Sequence, residues 1–162
     1  TLSLHDALPI SKHFLSWSNN LTWRNFDLSV FFRGTFGFDV FNMRKYGMGL
    51  QGCGTDNVLR SAYLEDKNIR TGGGVISSYF LEDGSFIKLE NVTLGYNFTP
   101  KNRKLLDNMR IYLSAKNLFT LTGYSGNDPS IIDVNGIQPG VDSNSAYPTA
   151  TQLSLGVTLR FK

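Results

Sequence analysis

The sequence predicts an all-β protein, and within that class an antiparallel transmembrane β-barrel fragment of which about five strands are present. Three observations carry the prediction: apolar residues recur with period two in five separate runs, the connections between runs alternate short and long, and aromatics are frequent while charges are sparse. Aromatic residues make up 13% of the 162 positions and charged residues only 18%, against about a quarter charged in soluble domains. Arg33, Asp39, Lys88, Glu90, Arg110 and Lys116 interrupt every apolar stretch. No window therefore offers the roughly 18 apolar residues that a spanning helix needs.

Thr1 to Ile10, TLSLHDALPI, corresponds to one reading frame of a sequencing-library adapter, and Ser11 fits its next base. Residues 1–11 are thus expected to be an adapter artefact, leaving 12–162 as the C-terminal part of a barrel. The N-terminus lacks the basic start and apolar middle of a secretory signal, although an outer-membrane protein is made with one. A reading frame that begins inside the gene accounts for this.

From Leu15 to Trp23, Leu15, Trp17, Leu21 and Trp23 share one face and Ser16, Ser18, Asn20 and Thr22 the other, the alternation of a strand. Arg24-Asn25 reads as a tight turn, after which Phe26, Leu28, Val30 and Phe32 alternate with Asp27, Ser29, Phe31 and Arg33. This strand is expected to run through Gly34 to Val40, with Phe36 and Phe38 in phase. Regularity is then lost from about Asn42 to Ser78, where Gly47, Gly49, Gly52, Gly54 and Gly72-Gly73-Gly74 predict a long loop. A helical turn is expected within it near Asn57 to Tyr63.

A third strand is predicted from about Tyr79 to Phe98. Ile87 and Leu89 are odd, whereas Val92, Leu94, Tyr96 and Phe98 are even; one extra residue near Asn91, a β-bulge, reconciles the two phases. Thr99 to Asn108 is a short polar connection. The fourth strand sets Met109, Ile111, Leu113, Ala115, Phe119 and Leu121 against Arg110, Tyr112, Ser114, Lys116 and Thr120, with Asn117 breaking the alternation. Thr122 to Thr149 is a second long loop. In the last strand Leu153, Leu155, Val157, Leu159 and Phe161 face one way and Ser154, Gly156, Thr158 and Arg160 the other.

Short connections alternating with long ones are the asymmetry of outer-membrane barrels, whose periplasmic turns are tight and whose outer loops are extended. Both long loops are then outside. Trp23, Phe26, Phe98 and Phe161 all fall at strand ends on the periplasmic side, where a membrane girdle of aromatics sits. Five strands cannot close a barrel in lipid, which tolerates no unpaired edge, so further strands are expected before residue 11.

Other signals are weak. The net charge of +3 is scattered, which argues against nucleic-acid binding. Cys53 is alone, and His13 has no acid near it in sequence, so no nucleophile is paired with a base and no enzymatic activity is expected. Asp83-Gly84-Ser85 is a turn signal. Asp128-Pro129, Asp133-Val134-Asn135-Gly136 and Asp142 could supply oxygen to Ca2+, but they lack a complete calcium loop and its closing Glu. No cofactor is expected, Ca2+ being the minor alternative. Gly72-Gly73-Gly74 lacks the Lys-Ser/Thr of a phosphate loop.

Three runs resemble the C-terminal signature of the SusC/RagA-type TonB-dependent outer-membrane receptors of Bacteroidetes. They are FDLSVFFRGTFG at 26–37, LEDGSFIKLENVTLGY at 81–96, and MRIYLSAKNLF at 109–119 followed by GYSGNDP at 123–129. The resemblance implies a barrel of about 22 strands closed by a plug. It further implies import of glycans, oligosaccharides or peptides with a SusD-like surface lipoprotein, driven by a TonB complex that acts through the missing N-terminal part. Membrane lipid would then bathe the outer face. Tyr63, Tyr124 and Tyr147 in the outer loops are candidates for stacking on sugar rings, or equally for loop packing. Arg110, Lys116 and Arg160 are expected to face the lumen, there to seat the plug or line a substrate path, the former being preferred. The competing functions are a passive porin or export barrel and a soluble β-sandwich carbohydrate-binding or adhesion module.

Overall fold

The computed structural model describes residues 10–50, 57–64, 76–100, 106–131, 140–143, 147 and 149–162. Along them run β1 His13–Trp23, β2 Phe26–Phe36, β3 Asp39–Asn42, β4 Leu81–Asp83, β5 Phe86–Phe98, β6 Leu106–Thr122, β7 Val141–Asp142 and β8 Gln152–Phe161. Two short helices, α1 Met43–Met48 and α2 Ser61–Leu64, and the 3-10 turns Ser78–Phe80 and Pro129–Ile131 complete the elements. The chain divides into a sheet unit, 14–34, 87–121 and 149–162, and a loop unit built from the connections.

The sheet unit contains the five strands the periodicity predicts, hydrogen-bonded in the order β1-β2-β5-β6-β8. Its residues explain its two faces. In the antiparallel pair of β6 and β8, Met109 lies opposite Leu159, Ile111 opposite Val157, Leu113 opposite Leu155 and Ala115 opposite Leu153. Between them, Arg110 lies opposite Thr158, Tyr112 opposite Gly156, Ser114 opposite Ser154 and Lys116 opposite Gln152. Apolar rows thus meet apolar rows and polar rows meet polar ones, the register that period-two patterning selects. Tyr112 lies over Gly156, where an added Cβ would strike its ring.

Local irregularities have local causes. Arg24 takes a φ of 53° to reverse the chain between β1 and β2. Asn117 takes the same left-handed φ of 53° within β6, a conformation Asn tolerates better than most residues. Its carbonyl accepts from Thr151 Oγ1 at 2.9 Å. In β5, Glu90 pairs with Arg33 and the adjacent Asn91 accepts from Ser114 Oγ. Both contacts fall where the apolar phase of the strand changes.

The loop unit is more ordered than its glycine content predicts. β2 stops at Phe36 and does not continue to Val40, because Gly37 turns the chain at φ 72°. The next strand, β3, belongs to a separate three-stranded sheet, β4-β3-β7, in which β4 is antiparallel and β7 parallel to it. The predicted strand from Tyr79 likewise divides into a 3-10 turn, β4 and β5. Asp83 Oδ1 accepts from Ser85 N at 2.9 Å and Ser85 Oγ at 2.6 Å, which gives Asp83-Gly84-Ser85 the turn role its composition predicts. The helical turn expected near Asn57 to Tyr63 is present as α2. Cys53, Gly72-Gly73-Gly74, Asp133 to Gly136 and most of the adapter-like segment lie outside the described residues.

Buried apolar residues concentrate in this loop unit. Phe41, Leu50, Phe80 and Val141 form one cluster, and Phe38, Val40, Phe86 and Tyr124 another. In the sheet unit Leu89 alone, among the described residues, is a buried hydrophobe. The loops therefore carry the conventional core, and the long strands do not.

Candidate functional site

The outward apolar face of the sheet unit follows directly from its strand pattern. Leu153, Leu155, Val157, Leu159 and Phe161 of β8 are 71%, 76%, 57%, 47% and 62% exposed. Phe14, Leu15, Trp17, Leu21 and Trp23 of β1 are exposed as well. Each such side chain forgoes about 1.5–3 kcal/mol if water remains its neighbour. Lipid removes that cost without a second protein layer. Aromatic pairs tie the face together: Trp17 lies 5.6 Å from Phe32, and Phe26 lies 4.8 Å from Tyr96. Trp23, Phe26, Phe98 and Phe161 are all exposed, and each is the terminal residue of its strand on the side of the short connections.

The opposite face is polar and internally bonded. Asp27 of β2 accepts from Arg110 Nε at 3.1 Å and from Arg110 Nη2 through its second oxygen, while Asn97 Nδ2 donates to Asp27 Oδ1 at 2.8 Å. Three strands are bridged by these bonds. Gly95 leaves room for the pair, since a Cβ there would lie 2.5 Å from the Asp27 carboxylate and 2.7 Å from Arg110 Nε. Thr93 and Ser114 share a hydroxyl contact of 3.0 Å, and the buried Lys88 donates to Thr149 Oγ1 at 2.8 Å. Of the three cations predicted to face the lumen, Arg110 is thus committed to Asp27. Lys116 and Arg160 are exposed, opposite Gln152 and Asn108.

A second polar site lies within the loop unit. Asn42, nearly fully buried, caps α1 by accepting from Lys45 N at 2.9 Å and donates to Ser125 Oγ at 3.1 Å. Glu82 accepts from Ser125 N at 2.9 Å, from Ser125 Oγ at 2.8 Å and from Lys45 Nζ at 3.4 Å. Burial opposes ionisation of Glu82, but the Ser125 donors and the Lys45 ammonium outweigh it and hold the carboxyl below its usual range. Beside this network lies a cavity of about 670 Å3 lined by Arg44, Arg60, Asp83 and their neighbours.

The three predicted tyrosines do not come together as one surface. Tyr124, a candidate for ring stacking or equally for loop packing, takes the packing role: it is only 6% exposed and lies with Phe38, Val40 and Phe86. Its hydroxyl donates to Asp142 Oδ2 at 2.7 Å; burial and the Asp142 carboxylate push the phenol well above its usual pKa. That tyrosine is a core residue because β7 brings Asp142 to it. Tyr63 and Tyr147 are exposed. Asp128 Oδ1 accepts from Ser130 N at 2.8 Å, so the two described carboxylates considered for Ca2+ both have protein donors.

Asp27, Glu82, Lys88 and Asn97 belong to no recognisable site motif in the sequence. The signal available for Asp27 was its position: a carboxylate on the polar face of β2, two strands from an arginine on the same face of β6, with Gly95 of β5 between them.

No family model matches the chain. Individual proteins do match. The chain is 26% identical to TonB-dependent receptor P3 of Formosa agariphila over 94% of its own length and 17% of that protein's. It is also 26% identical to TonB-dependent receptor SusC of Bacteroides thetaiotaomicron, over 94% of the chain and 15% of the relative. Among solved structures, the RagAB peptide importer in its "closed-closed" state superposes with a TM-score of 0.76 at 24% identity, covering 95% of this chain and 18% of that one. The chain spans less than a fifth of each of these proteins, which are named as receptors and an importer. Strand order, two-faced register and these matches make the chain similar to the barrel wall of TonB-dependent receptors.

Proposed function

We propose that the chain is part of an outer-membrane importer that takes up oligosaccharides or peptides through a TonB-energised barrel, together with a SusD-like surface lipoprotein. The single observation carrying this reading is the five-stranded sheet with one exposed apolar face and one hydrogen-bonded polar face, the section of a barrel wall between lipid and lumen. The relatives' names supply the rest: two are TonB-dependent receptors and the matched structure is a peptide importer. On this reading the long connections are extracellular, and the four terminal aromatics form the girdle at the periplasmic interface. Exposed Lys116 and Arg160 are then the lumen cations available to seat a plug.

Uptake of a labelled oligosaccharide mixture and a labelled peptide mixture, measured in cells carrying the whole receptor with and without TonB, tests the proposal. Accumulation that disappears when TonB is removed is the expected result. Accumulation that persists without TonB would identify a passive porin instead.

A further inference from the structure

The loop-unit cavity has an unequal supply of donors and acceptors. Both of its carboxylates already accept protein donors, Glu82 through both oxygens and Asp83 through one. Glu82 receives Asn42, Ser125 and Lys45, and Asp83 Oδ1 receives both the amide and the hydroxyl of Ser85. The arginines are not occupied in the same way. Among the described residues, Arg44 spends one of its five N–H donors, on Asn127 Oδ1 at 2.9 Å, and the exposed Arg60 guanidinium makes no hydrogen bond or ion pair. Lys45 adds a third cation, held by Glu82 and lying 4.3 Å from the Tyr79 ring centre.

Arginine presents its donors in a planar fork that matches two oxygens of one anionic group. A cavity of about 670 Å3 falls within the usual range for small-molecule sites, roughly 300–1,000 Å3. Asn42 and Glu82, both tied to elements of the small sheet and to α1, hold the floor in place, so the arginines meet a formed pocket. We propose that this pocket binds an anionic group, a carboxylate or sulfate, of a soluble cargo molecule, with Arg44 and Arg60 as its ligands and Glu82 as the residue that positions Lys45 and Ser125 around it. The proposal rests on the importer reading for the nature of the ligand, but binding at the pocket is measurable without transport.

The test is calorimetric titration of the whole receptor in detergent with three probes: trigalacturonate, a sulfated chondroitin disaccharide and neutral maltotriose. Either anionic probe is expected to bind more tightly than maltotriose, with affinity falling as NaCl is raised. Arg60→Ala and Arg44→Gln are each expected to weaken it about tenfold, the loss of one charged hydrogen bond, and to leave maltotriose unchanged. Because Arg60 is exposed, its removal does not threaten folding, and an unchanged melting curve verifies this. Anionic probes that bind no better than maltotriose, or that bind equally well to Arg60→Ala and Arg44→Gln, overturn the proposal. TonB-dependent uptake that survives such a result leaves the importer reading standing while the pocket assignment falls.

Discussion

Gly95 is the residue at which the polar face has least slack. Its missing Cβ is the space occupied by the Asp27 carboxylate and the Arg110 guanidinium. Gly95→Ala is therefore expected to destabilise the folded receptor by about 1–3 kcal/mol through overpacking, read from the urea midpoint of refolding in detergent. In an Asp27→Ala background the same substitution should cost clearly less, since the obstructing carboxylate is gone; equal costs in the two backgrounds would refute the contact. Glu82 gives a pH prediction. Its folded-state pKa is depressed, so its stabilising contribution is complete above the ordinary value of 4.5 and is lost as pH falls through the lower folded value. Protection of the Ser125 amide, corrected for intrinsic exchange, should decline as pH falls below about 4.5, and Glu82→Gln should abolish that dependence.

At the scale of elements, what could be read from sequence followed from length. Strands of ten or more residues repeat their period several times, so β1, β2, β6 and β8 were legible, and the phase change read in β5 falls where Glu90 and Asn91 both make polar contacts. β3, β4 and β7 have four, three and two residues, too few to establish any period. Their sheet arises from long-range pairing, including Phe41 with Val141, and no local pattern announces that. The same pairing explains why the sequence left Tyr124 open between ring stacking and loop packing: its partner Asp142 is distant in sequence. For α1, the Asn42 cap was a usable signal, obscured by Gly47 and Gly49. The long strands carry their own prediction. Leu155→Arg should cost about 2–4 kcal/mol when the receptor folds into liposomes, whereas Ser154→Arg, one residue away on the polar face, should change stability by less than about 0.5 kcal/mol. Similar costs at both positions would contradict a single lipid-facing row.

For the whole molecule, the distribution of burial reverses that of a soluble β-protein. The connections hold the apolar clusters, and the sheet exposes Leu and Phe along β8 and Trp along β1. Such a division makes sense when the solvent beside the sheet is lipid and the solvent around the loops is water. On the proposed function, nutrient import is a property of the complete receptor, of which this piece would contribute part of the wall and two of its loops. The most direct measurement of the central claim is oxygen accessibility of nitroxides placed one at a time at 153–160 in the complete receptor, reconstituted in liposomes with Cys53 replaced by Ser. The account predicts strict alternation, with Leu153, Leu155, Val157 and Leu159 accessible to dissolved oxygen from the bilayer and Ser154, Gly156, Thr158 and Arg160 shielded from it. Uniform accessibility to a water-soluble relaxant along both rows would contradict it.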